Sequence, residues 1–220
     1  MKATGNVWVR AIFYAAGLVI MTLGVALSVK ADLGVSTISS IPYTMNVTIG
    51  VELGLATSIF SVIMVLLQIA ILGKTYQLKD LLQIPVGFLF GIFLTFCCGL
   101  TNYIPPVTSF PLQLILTLLS TVLVALGVFL YVHTGFVPLA PEGFMLAIAK
   151  RTGAKFANVK LICDIAMVVI SLVACLLVLG ELGSVGIGTI LAALLVGTEV
   201  KILTVWFGSV RDKALGLCSE

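Results

Sequence analysis

The 220-residue chain has little charge and almost no histidine. Only 10% of its residues are Asp, Glu, Lys or Arg, and His133 is the single imidazole. A water-soluble domain carries roughly 25% charged residues, and it must still face water over much of its surface. Here 60% of the residues are hydrophobic and mean hydropathy is +1.25. Such a chain needs the lipid bilayer as its outer solvent. One histidine leaves most His-based catalysis without its base. No glycine-rich phosphate loop, Ser/His/Asp arrangement or metalloprotease helix is present, so no enzyme is expected and no cofactor is implied. The net charge of +3 is small, and no Lys/Arg cluster exceeds a short loop, which argues against a nucleic-acid partner.

Cysteine is also sparse. Cys97, Cys98, Cys163 and Cys175 sit in apolar runs and Cys218 lies in the tail. No pair has zinc-ligand spacing, and a vicinal Cys-Cys is a poor chelate, so no metal site is expected. These residues read as small hydrophobes.

What the chain does have is long apolar runs. A spanning helix needs about 20 mostly apolar residues. Six segments qualify: Ala11 to Val29, Leu53 to Leu72, Leu81 to Leu100, Leu112 to Val132, Leu161 to Gly180, and Ser184 to Phe207. The first run is longer than a typical signal-peptide core of ~7–15 residues and precedes no small-x-small cleavage site, so it reads as a retained helix. Pro105 and Pro106 break the chain after the third run, because proline lacks an amide and disfavours helix just before it.

Charge placement tests this count. Cytoplasmic loops collect Lys and Arg. With six spans, Lys2, Arg10, Lys74, Lys79, Lys150, Arg151, Lys155, Lys160, Lys201, Arg211 and Lys213 share one side. Lys30 alone of the 12 lies on the other. A wrong span count would scramble this partition, so it predicts cytoplasmic N- and C-termini.

Two connections are unusual. Residues 31–52 and 133–160 mix apolar residues with Gly, Pro, Ser and Thr. Neither is polar enough for a solvated loop nor apolar enough for a lipid-facing span. One reading is a broken or re-entrant segment, since non-helical backbone at membrane depth is tolerated only where protein or a water-filled cavity surrounds it. The other is an amphipathic helix lying on the surface.

These connections occupy equivalent places. Each follows the first helix of a three-helix half. Leu23-Gly24-Val25 aligns with Leu126-Gly127-Val128, and Gly34 and Pro42 fall opposite a region holding Gly135, Pro138, Pro141 and Gly143. Ile84-Pro85-Val86-Gly87 aligns loosely with Val185-Gly186-Ile187-Gly188. Three helices per half makes the second half enter from the opposite face. The expected fold is therefore an all-α integral membrane protein, six transmembrane helices in two inverted repeats, about 9–100 and 112–207, with a short tail 208–220. Inverted repeats of this kind build several transporter folds.

Two stretches resemble the YczE/YitT-type bacterial membrane proteins: Gly24-Val25-Ala26-Leu27 through Lys30-Ala31-Asp32-Leu33-Gly34-Val35-Ser36, and Pro138-Leu139-Ala140-Pro141-Glu142-Gly143. Lys160-Leu161-Ile162-Cys163-Asp164 and Gly183-Ser184-Val185-Gly186-Ile187-Gly188-Thr189-Ile190 extend the likeness to most of the chain. After Gly197 that family often has proline, where this chain has Thr198-Glu199. The resemblance implies a bacterial inner-membrane location and names no substrate.

Charged groups inside a membrane are costly and so mark candidate sites. Asp164 stands first, about two turns into the fifth span, with Lys160 four residues earlier on the same helix face. An interfacial ion pair and a cation or proton site are both open for this pair. Glu199 lies at similar depth on the sixth span, free to pair with Lys160 or to reach water. Two carboxylates close together would raise each other's pKa. Glu142 interrupts the apolar second connection, and Ser36, Thr37, Ser39 and Ser40 occupy the matching region of the first. Asp32 either caps the first helix or lines a mouth. His133 ends the fourth span as a dipole partner or a proton switch. Gly87 and Gly91 form a small-xxx-small packing motif. Gly34, Pro42, Pro141, Gly143, Gly186 and Gly188 are packing or hinge candidates. The expected function is secondary transport of a small-molecule solute, coupled to protons or another cation. An adaptor docking a partner through Lys150, Arg151 and Lys155 is the alternative, as is a substrate-binding component of a larger transporter. Either would bring in a partner subunit, and a homodimer is also open.

Overall fold

The computed structural model describes residues 6–216, so Lys2 and Cys218 lie outside the described residues. Among the described residues the regular structure is all helix. Six helices are long and apolar enough to cross a membrane. These are α1 (Val7–Ala31), α3 (Leu53–Leu72), α4 (Gln83–Thr101), α5 (Phe110–Val132), α7 (Phe156–Val178) and α8 (Ile187–Ala214). Two shorter helices, α2 (Thr37–Ile49) and α6 (Ala140–Thr152), fill the two unusual connections.

The ends differ from the sequence reading where local chemistry intervenes. Short 3-10 turns at Gly73–Thr75 and Leu78–Leu82 join α3 to α4, so α4 starts two residues late. The sixth span starts at Ile187 rather than Ser184, because Ser184 bonds instead to Val35 and Thr44 of the first half. It continues to Ala214 rather than Phe207, so most of the expected tail is helical. Arg211 explains that extension. It is 4% exposed, donates from Nη1 to the Phe129 carbonyl (3.3 Å) and pairs with Asp212 (2.8 Å).

α1 and α5 form the central pair, antiparallel and close. A Cβ on Gly17 would lie 2.8 Å from the Gly127 carbonyl, and one on Gly24 would lie 2.9 Å from the Ser120 carbonyl. Without hydrophobic drive between helices in lipid, such small-residue seams let van der Waals packing hold them together. α4 packs on α1, and α8 packs on α5. The short helices cross over between halves: α2 packs on α7, and α6 packs on α3. One difference stands out. α3 and α4 pack intimately, through Gly54, Ser58, Ser61, Gly87 and Gly91. α7 leans on α2 and α6 while α8 leans on α5, and a cleft lies between Asp164 of α7 and Val196 of α8.

Candidate functional site

α2 and α6 have 13 residues each, about 20 Å at 1.5 Å per residue. That is shorter than the ~30 Å hydrocarbon core. Both are enclosed rather than laid on a surface. Thr37, Ser40, Pro42 and Thr44 of α2 are buried, as are Ala140, Pro141, Gly143, Met145 and Ala147 of α6. Each is preceded by an extended stretch, and their N-terminal ends approach one another. Ile38, Ser39 and Pro42 share a crevice with Met21 of α1 and with Leu139 and Pro141.

The extended stretches need partners for their backbone groups, because unpaired amides and carbonyls away from water are expensive. The stretch before α2 finds them on backbone. Val35 donates to the Ser184 carbonyl (3.2 Å), and Gly188 donates to the Leu33 carbonyl (2.6 Å). Gly34 holds φ at +100° there, and a Cβ would strike the Gly186 amide, so glycine is required on both grounds. The stretch before α6 uses side chains of α1. Arg10 Nε donates to the Thr134 carbonyl (2.6 Å) and the Tyr14 hydroxyl to the Val137 carbonyl (2.8 Å).

Two buried polar clusters anchor the short helices to the opposite half. Thr44 of α2 shares a hydrogen bond with Ser184 (2.7 Å), and Cys175 of α7 contacts both. Gln68 of α3 donates to Gln83 of α4 (2.8 Å) and to the Ala140 carbonyl (3.1 Å) at the start of α6. Gly143 lets these amides approach, since a Cβ there would lie 2.6 Å from Gln83. Sequence reading passed over both glutamines. A neutral amide does not interrupt an apolar run as a carboxylate does, although its burial in a span was the available signal.

Between the two N-termini lies a cavity of about 240 Å³. Its polar lining is Ser36 and Thr37 of α2, Glu142 of α6, and Lys160 and Asp164 of α7. Its apolar wall includes Met21, Val124 and Val128. Lys160 Nζ pairs with Asp164 Oδ2 at 2.9 Å, while Asp164 Oδ1 is buried without a partner. Glu142 accepts a hydrogen bond from the Tyr131 hydroxyl. Five sequence candidates from three elements thus meet at one place, counting Thr37 with Ser36.

Two neighbouring cavities along α5 share lining residues with this one. A larger cavity, about 460 Å³, shares Val128, Glu142 and Lys160 with it and reaches Val132, Phe136 and Phe156. Past Ser36 and Val124 the space narrows to about 10 Å³, lined by the hydroxyls of Ser28, Thr117, Ser120 and Thr121.

Other candidates stand apart. Glu199 does not pair with Lys160, which is held by Asp164. Its Oε1 accepts from Thr121 (3.0 Å) and its Oε2 has no partner. Ser39 accepts from Ser36 (3.1 Å) and Ser40 donates to the Thr37 carbonyl (2.7 Å), and neither residue lines the central cavity. Asp32 is the C-cap of α1 in the left-handed region, φ 55°, which Asp tolerates better than most residues. It borders a separate pocket with Lys30 and Asn102. His133 caps α5 and lines neither cavity. Gly87 and Gly91 face α3, and Gly186 and Gly188 face the Leu33–Gly34 backbone. No cluster of three or more His, Cys, Asp or Glu able to hold a metal occurs among the described residues.

The family model described as "Family of unknown function (DUF6198)" matches residues 8–205. The chain is 28% identical over 191 residues to "Uncharacterized membrane protein YczE" of Bacillus subtilis (strain 168), covering 86% of this chain and 82% of that protein. No solved structure matches it. A polytopic helical membrane protein, with a charged cavity between two half-length helices, this chain belongs to the family of unknown function DUF6198.

Proposed function

We propose that the protein is a secondary transporter of a small solute in the bacterial inner membrane, with both termini in the cytoplasm. The observation that carries this reading is the row of three adjoining cavities of decreasing size along α5. It is wide at the end bearing Phe136 and Phe156, holds Glu142, Lys160 and Asp164 at its base, and closes among hydroxyls beyond Ser36. Alternating access requires a site open to one side and shut to the other, and this arrangement supports an inward-open state.

The halves α1–α4 and α5–α8 supply the symmetry that alternation needs. Short helices of equal length and reciprocal packing of α2 on α7 and α6 on α3 support an inverted repeat. In this reading the packed α3–α4 seam is the shut counterpart of the α7–α8 cleft. Exchanging the two would open the site to the other side. Asp164 and Glu142 are the candidate proton or cation carriers. No covalent step is involved, so the protein is no enzyme.

Counterflow of labelled solutes in proteoliposomes tests this. Wild type should exchange a solute that Glu142→Gln and Asp164→Asn do not. Absence of exchange across a broad panel would remove the reading. Exposed Lys150, Arg151 and Lys155 carry the adaptor alternative. A stoichiometric partner in native membranes, lost when these three are substituted, would favour it instead.

A further inference from the structure

The charges in the central cavity are of both signs, and they are not all satisfied by each other. Lys160 holds one oxygen of Asp164 at 2.9 Å and leaves the other, buried, without a partner. Glu142 faces the same space with a single neutral donor, the Tyr131 hydroxyl. Glu142 also lies in the first turn of α6, where its charge offsets the positive end of that helix. α2 has no acid in its first turn and no side chain capping it, and Ser36, Thr37 and Ile38 at this end line the cavity. The cavity therefore has a cation-accepting end at Glu142 and Asp164. It has an anion-accepting end at Lys160 and the start of α2.

A solute with one charge satisfies only half of this. A lone cation leaves the start of α2 and the remaining donors of Lys160 without an acceptor, and a lone anion leaves Glu142 and the free oxygen of Asp164 without a cation. Burying a charge without a partner is costly. A solute carrying both signs gives each end its complement. The volume, about 240 Å³, suits a small molecule, and Met21, Val124 and Val128 suit a short apolar body.

We infer that this cavity binds a small zwitterion of the amino-acid or betaine class, its cationic group at Glu142 and Asp164 and its carboxylate at Lys160 and the α2 N-terminus. The inference rests on the transport reading for its site and names the substrate class.

Isothermal titration of the purified chain in detergent tests it with matched probes. These are free L-proline and glycine betaine as zwitterions, pyrrolidine as the cation alone, and cyclopentanecarboxylate as the anion alone. At least one zwitterion should bind, with both single-charge compounds at least tenfold weaker. Glu142→Gln and Lys160→Met should each weaken zwitterion binding tenfold or more, while Lys160→Arg should retain most of it. If Glu142→Gln does not fold, Ser36→Ala replaces it, with an expected loss of at least threefold. Equal binding of a single-charge compound, no binding of either zwitterion, or unchanged affinity in the variants would overturn the inference. Counterflow of another solute without zwitterion binding would sink this inference and leave transport standing. Zwitterion binding without any counterflow would do the reverse.

Discussion

The hydroxyl of Tyr131 donates to the carboxylate of Glu142, tying the last turn of α5 to the first turn of α6. Tyr131 is 2% exposed, while its acceptor Glu142 is half-buried and faces the cavities. The bond sits where the two cavities join, because Glu142 lines both and Tyr131 lines the wider one. A hydrogen bond to a charged group contributes about 1.5–3 kcal/mol. Tyr131→Phe should therefore destabilise the protein by about 1.5–3 kcal/mol, whereas Glu142→Gln keeps an acceptor and should cost less. Thermal unfolding in detergent gives the order, and a Phe variant as stable as wild type would remove this bond from the account.

Gly24 and Gly99 offer a matched pair of glycine substitutions inside helices. A Cβ on Gly24 meets α5 backbone at 2.9 Å, and backbone cannot swing aside. Gly24→Ala should cost about 1–3 kcal/mol by overpacking. Gly99 has nothing within 4 Å. Gly99→Ala should be neutral or stabilising by up to about 1 kcal/mol, because alanine favours helix over glycine. Apparent unfolding midpoints should move in opposite directions, and a parallel shift would deny the α1–α5 seam its role.

Glu52 gives a pH-dependent contribution at the mouth of α3. Burial pushes its carboxyl up. The Gly54 and Leu55 amides (3.0 and 2.9 Å) and the Thr95 hydroxyl (2.8 Å) outweigh this and hold it below the ordinary glutamate range. A depressed folded-state pKa means the unfolded chain binds the proton more tightly. The stabilisation is then present above the ordinary range and disappears as pH falls through the folded value. Wild type should lose stability over that acidic window, and Glu52→Gln should show a flatter profile. Equal slopes would show that Glu52 does not contribute.

The charge partition predicts accessibility. Single cysteines placed at Lys79 and Arg151 should react with a membrane-impermeant thiol reagent from the same side, and one at Asn102 from the other. Reaction of the Lys79 and Arg151 positions from opposite faces would break the six-span topology on which the transport reading depends.

The spans were legible because lipid makes a one-dimensional demand. About 20 apolar residues must run together, and Leu53 to Leu72 was read to the residue for that reason. Asp164 and Glu142 were legible because a carboxylate in an apolar stretch is conspicuous. Gln68, Gln83, Tyr131 and Arg211 were not, since a neutral amide or phenol hardly disturbs hydropathy and an arginine near a helix end looks like topology. The extra turns at the end of α8 escaped for the same reason: Arg211 is held by the Phe129 ring and carbonyl on another helix, which hydropathy does not register.

By itself the chain of residues determined the solvent and the six helices long and apolar enough to cross it. Each follows from transfer free energy summed along one strand of sequence, with no need to know what touches what. Tertiary structure alone decided that Glu142, Lys160 and Asp164 share a cavity with Ser36 while Glu199 turns to Thr121. Residues more than a hundred positions apart meet only when α2 and α6 are held inside the bundle. That depends on the Leu33–Gly188 and Val35–Ser184 backbone bonds and on the glutamine pair, which no local pattern announces.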